Sequence, residues 1–178
     1  MAKLWDLPAI FVCENNHYGM GTSTERHYAG KDFHTRGDYI PGIHVDGMDI
    51  LAVKSATEWA RAYVLENGPL VMEMSTYRYH GHSMSDPDTT YRSREEKESK
   101  RKTEDPIGLL QLKIEEAGWA TAKEMKAMEK AVRKEVKAET DAAIGSPYPT
   151  IDLASKHIYS GDQPQDIRGC DITLTMHP

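Results

Sequence analysis

The stretch from Gly42 to Met74, "GIHVDGMDILAVKSATEWARAYVLENGPLVMEM", decides the fold. "GIHV" and "PLVMEM" are short apolar runs of strand length. Between them Ile50, Val53, Ala56, Ala60 and Val64 recur at helical spacing, with Asp49 placed to cap the helix and Gly68 to stop it. Strand, helix and strand joined by short connections form a βαβ unit, whose strands are parallel and whose crossover is right-handed. The expected class is therefore α/β, with helices flanking a parallel sheet. Upstream, "LPAIFVC" (Leu7 to Cys13) reads as a further, fully buried strand opened by a proline.

Composition narrows what such a domain can meet. The 178 residues carry a net charge of -6, which gives no overall attraction to nucleic acid or to an anionic membrane. The longest apolar run is far short of a membrane span, and Met1 is followed by neither a secretory nor an Arg-rich targeting pattern. Cys13 and Cys170 are the two cysteines, a count that suits a reducing compartment better than a disulfide framework.

Beyond Met74 the aliphatic residues nearly vanish. Residues 75–104 hold Tyr, His, Ser and Asp followed by the charge run "RSREEKESKRK", and the expectation is one long functional loop. Helical patterning resumes at "DPIGLLQLKIEEAG", where Asp105 can cap and Pro106 suits the first position. A second helix follows, "TAKEMKAMEKAVRKEVKAETDAAIG", opened by the capping box Thr121 and Glu124. Its stripe of Met125, Met128, Val132 and Val136 suits core or subunit packing. The tail "GDQPQDIRGCDITLTMHP" reads as an extended arm or late strand. Residues 1–104 thus form the α/β part with its loop, and residues 105–178 the C-terminal helices and arm.

Three stretches carry chemistry. In "FVCENNHYGMGTS" a strand gives way to amides, a tyrosine and glycines, at the kind of strand end where open α/β sheets bind ligands. Asn16 can offer a side-chain carbonyl oxygen and Tyr18 its backbone carbonyl, two neutral hard ligands for magnesium when a phosphate provides the rest. A plain turn in which Asn15 and Asn16 bond their own backbone is the competing reading. "YRYHGHSMSDPDTTYR" places His80 and His82 around Gly81 among hydroxyls, aspartates and arginines. It suits a metal site, an acid/base loop or a polar surface loop. A phosphate at these hydroxyls, beside Asp86 and Asp88, would repel and disorder the loop unless an arginine captured it. The third stretch, "GDYIPGIHVDGMD", reads as an Asp-capped structural junction.

Taken in order, "PAIFVCENNHYGMGTS", "YIPGIHVDGMDILAV" and "YRYHGHSMSDP" resemble the alpha subunit of the pyruvate dehydrogenase component of the eukaryotic multienzyme complex, over at least residues 1–117. The resemblance implies part of a thiamine diphosphate-binding fold. It also implies oxidative decarboxylation of pyruvate, with the two-carbon unit passed to a lipoyl group. Carried over by position, Asn16 and Tyr18 become magnesium ligands, Asn15 their partner in the cofactor motif, and His82 a cofactor-binding and catalytic loop residue. Ser83, Thr90 and Ser23 match regulatory phosphorylation sites, with Thr90 standing where serine is usual. The implied partners are the pyruvate dehydrogenase beta subunit in an alpha2beta2 heterotetramer, the dihydrolipoyl acetyltransferase core, and the regulatory kinase and phosphatase. The implied location is the mitochondrial matrix.

Only the closing Asn-Asn half of the diphosphate motif is present, and its opening Gly-Asp-Gly half is not in this sequence. The chain is therefore expected to be the C-terminal portion of such a subunit, inactive alone. Three alternatives stand beside this. One is a non-catalytic chain that decoys the kinase or binds the beta subunit, and another is the related branched-chain 2-oxo acid dehydrogenase alpha subunit. The last is a metal-binding module built on the His-x-His loop.

Overall fold

The computed structural model describes residues 1–151 and 153, and the expected arm with Cys170 lies outside them. The chain divides into two compact units, Met1–Thr121 and Ala122–Pro178.

In the first unit β1 (Ile10–Asn15) leads into a small antiparallel pair, β2 (Tyr18–Gly19) and β3 (Thr22–Ser23), followed by the single turn α1 (Thr24–His27). A 3-10 turn, Phe33–Gly37, precedes β4 (Gly42–Asp46), α2 (Ile50–Asn67) and β5 (Leu70–Ser75). The sheet order is β1-β5-β4 and both pairings are parallel, as the βαβ reading requires. Asp49 caps α2 by accepting from the amides of Leu51 and Ala52 at 2.8 and 3.2 Å, and the amide of Gly68 closes the other end onto the Val64 carbonyl. Ala60 and Val64 of α2 pack with Val45, Leu70 and Met72 of the strands to make the core. Leu70 and Met72, each 1% exposed, belong to the central strand of the three.

Two expectations need correction. The first strand starts at Ile10, not Leu7, and is not fully buried: Phe11 is 49% and Val12 54% exposed. β1 is an edge strand among the described residues, so it has no strand neighbour along one side and its faces are only partly covered. The second correction concerns residues 75–104. The charge run is not loop but helix α3 (Arg94–Glu104), started by the Ser93 hydroxyl, which accepts from the Glu96 amide at 3.0 Å. α4 (Pro106–Glu116) follows, capped by Asp105, and its Lys113 reaches back to Asp49 at 3.3 Å.

The second unit contains α5 (Ala122–Ile144), which begins one residue after Thr121. Its Met128, Val132 and Val136 are each more than half exposed. Among the described residues no helix is long and apolar enough to cross a membrane.

Candidate functional site

Parallel pairing brings three strand ends to one edge: Asn15 of β1 and Asp46 of β4 both register with Ser75 of β5. This is the carboxyl edge of the sheet, where ligands of α/β folds bind. Two cavities open there. One, of about 490 Å³, is lined by Asn15, His34, His44 and Glu73 among others, and the second, of about 290 Å³, by Asn16, Tyr18, Asp46 and Ser75 among others.

Asn15 and Asn16 both close tight turns. The Asn15 side-chain oxygen accepts from the His17 amide and that of Asn16 from the Tyr18 amide, each at 3.0 Å. His17 takes a positive φ of 63° to make the bend. The turn reading of the sequence is therefore met, and it does not exclude a ligand role. An amide oxygen has two lone pairs, and the Tyr18 contact engages one of those on Asn16. Neutral oxygens of this kind suit magnesium that takes its remaining ligands from a diphosphate. Among the described residues no group of three or more His, Cys, Asp or Glu side chains could hold a metal by itself.

Behind Asn15 stands Glu73, 3% exposed, which the sequence reading passed over. Its Oε1 accepts from Asn15 Nδ2 at 2.8 Å, and its Oε2 accepts from both the backbone amide and the Nδ1 of His34 at 2.9 Å. An ionised carboxylate only accepts, which assigns the His34 ring proton to Nδ1. Burial pushes the Glu73 carboxyl up, and the donations from His34 and Asn15 outweigh it, leaving it below the usual glutamate range. His34 reaches this position because Gly42 has no side chain: a Cβ there would run into the His34 carbonyl. A lone carboxylate inside the apolar run "PLVMEM" was the available signal.

The histidine loop is pinned by two aspartates. Asp86 accepts from the His82 amide at 2.8 Å and from the Tyr91 hydroxyl at 2.6 Å on Oδ2, and from the Asp88 amide at 2.9 Å on Oδ1. The Tyr91 hydroxyl, then the two amides, hold the Asp86 carboxyl down at about 2. Gly81 permits this closure, since a Cβ there would lie 2.5 Å from the Asp86 carbonyl oxygen. Asp88 is 5% exposed and paired with Arg92 and Lys97, so its charge is compensated within the loop.

The remaining sequence candidates are dispersed. His82 is exposed and does not line either cavity that holds Asn15, Asn16 and Tyr18. Ser83 is exposed with its hydroxyl 3.0 Å from that of Ser85, and Thr90 is exposed. Ser23 pairs with Tyr18 across β2 and β3 and lines the larger cavity.

The chain belongs to the dehydrogenase E1 component family, whose model matches residues 1–152. That family uses thiamine diphosphate. Among individual relatives, the chain is 53% identical over 177 residues to the probable mitochondrial pyruvate dehydrogenase E1 alpha subunit of Caenorhabditis elegans, covering 99% of this chain and 45% of the relative. It is 50% identical over 172 residues to the somatic mitochondrial forms of Rattus norvegicus and Homo sapiens, covering 96% of this chain and 44% of each. The chain thus spans less than half the length of the curated relatives it matches.

Proposed function

We propose that the chain is part of the alpha subunit of a mitochondrial, thiamine diphosphate-dependent pyruvate dehydrogenase, which decarboxylates pyruvate oxidatively and passes the two-carbon unit to a lipoyl group. The observation that carries this is 53% identity across 99% of the chain to a protein of that name. Thiamine diphosphate supplies the electron sink for loss of carbon dioxide. The side-chain oxygen of Asn16 and the backbone carbonyl of Tyr18 hold the magnesium that accompanies its diphosphate. Asn15, gripped by Glu73, fixes the turn from which both project. His82 serves the cofactor from the loop, and Ser83, Thr90 and Ser23 take regulatory phosphate. The site is completed by residues outside this chain, and the working protein assembles as an alpha2beta2 heterotetramer with a beta subunit. It docks on a dihydrolipoyl acetyltransferase core and is served by a kinase and a phosphatase in the mitochondrial matrix.

The test is cofactor titration of the complete protein with its beta subunit. Asn16→Ala removes a metal ligand, so the magnesium and thiamine diphosphate concentrations for half-maximal activity should rise by more than about tenfold, the scale of losing even an outer-sphere partner. Titrations that superimpose on wild type would remove Asn16 from the site.

A further inference from the structure

We propose that Asp88, held between Arg92 and Lys97, is a positioning residue that latches the His80–Ser83 segment and couples it to the Tyr18 turn. Asp88 Oδ1 accepts from Arg92 Nε at 2.8 Å and from a terminal guanidinium nitrogen, while Oδ2 accepts from Lys97 Nζ at 2.8 Å. Both carboxylate oxygens are therefore engaged. So anchored, the Arg92 guanidinium donates onward to the carbonyl of Arg78 and, at 3.1 Å, to that of His80. Those two carbonyls lie just before and at the start of the His-Gly-His stretch. One side chain thus ties the entry of the loop to its exit.

The same guanidinium reaches the other half of the site. Its carbon lies 5.5, 5.2 and 5.4 Å from the ring centroids of Tyr18, Tyr77 and Tyr91, and the Tyr18 and Tyr91 rings are 5.7 Å apart. Arg92 is 2% exposed, so it is a desolvated cation walled by aromatic faces. Removing one member of a buried ion pair leaves the other uncompensated, which is far costlier than losing an exposed pair. Without the Asp88 charge, Arg92 would be drawn out to water, releasing the Arg78 and His80 carbonyls and the face of Tyr18 together. Burial pushes the Asp88 carboxyl up, and Lys97 and Arg92 more than reverse this, in keeping with a carboxylate that stays ionised.

The role in positioning a cofactor rests on the function proposed above, and the latch itself does not. The complete protein with its beta subunit is therefore studied first without thiamine diphosphate, by amide hydrogen exchange. Asp88→Asn keeps the shape and removes the charge, and exchange over residues 78–84 should rise at least about tenfold, as expected for losing a charged hydrogen-bond acceptor, with β5 unchanged. Lys97→Met should give a smaller rise over the same residues and Lys97→Arg should restore protection. Lys97, at the outer side of the cluster, decides the matter should Asp88→Asn unfold. Thiamine diphosphate titration then reads the coupling: Asp88→Asn should raise its apparent dissociation constant several-fold while turnover at saturation changes little. Wild-type exchange over 78–84 in both Asp88→Asn and Lys97→Met would overturn the latch, as would an equal rise in β5. Unaltered cofactor affinity in a loosened loop would overturn the coupling. Failure of the wild-type protein to bind thiamine diphosphate would count against the proposed function and leave the exchange result to judge the latch.

Discussion

Glu73 shows how much one side chain organises. It sits on the central strand, faces the carboxyl edge of the sheet, and satisfies three donors from two distant segments, Asn15 and His34. The Asn15 amide among these donors is buried, so truncation leaves it unpaired where water replaces the lost acceptor poorly. Glu73→Ala in the complete protein should therefore destabilise by on the order of 2–3 kcal/mol, with Glu73→Gln losing clearly less because it retains an acceptor of the same shape. Urea unfolding of the two variants checks this, and equal stability of Ala, Gln and wild type would contradict it. Neither the pairing nor its partner was legible in the sequence. Glu73 and Asn15 are 58 positions apart, and only parallel registration of β1 against β5 makes them neighbours. The turn at Asn16, by contrast, was legible, since it closes within three residues.

At the scale of elements, α3 separates the two sources of helical order. Its sequence, REEKESKRKTE, contains no apolar side chain and so no apolar stripe, and apolar periodicity was the signal by which α2, α4 and α5 were read. What starts it is local: Ser93 caps the first turn, Glu95 and Glu96 lie at the positive end of the helix dipole, and Arg101 and Lys102 lie at the negative end. The Lys100 and Glu104 pair adds a further small increment one turn apart. A helix held by such increments responds strongly to its cap. Ser93→Ala should weaken it by about 1 kcal/mol, seen as roughly fivefold faster amide exchange through the first two turns, and Ser93→Asp should preserve it. Unchanged exchange in Ser93→Ala would show that packing, not capping, sets this helix. The Ser93 and Glu96 spacing was present in the sequence, but a charge run reads equally well as a solvated loop.

On the scale of the whole molecule, apolar surface is left open. β1 exposes Phe11 and Val12, which as successive strand residues point to opposite faces, and α5 exposes Met128, Val132 and Val136. An open edge strand with apolar faces pairs with copies of itself. The 178-residue chain purified alone should self-associate in sedimentation velocity, and Val12→Lys should reduce this by charging the edge. A monodisperse monomer would refute it. The sequence by itself determined the βαβ unit with its parallel strands, the caps of α2 and α4 and the turn at Asn16, because each rests on periodicity or on contacts a few residues apart. Only the tertiary structure decided that Glu73 grips Asn15, that Asp88 is buried against Arg92 and Lys97, and that β1 is an edge among the described residues. Those depend on which strands pair and on what water can reach, and neither quantity is written in local sequence.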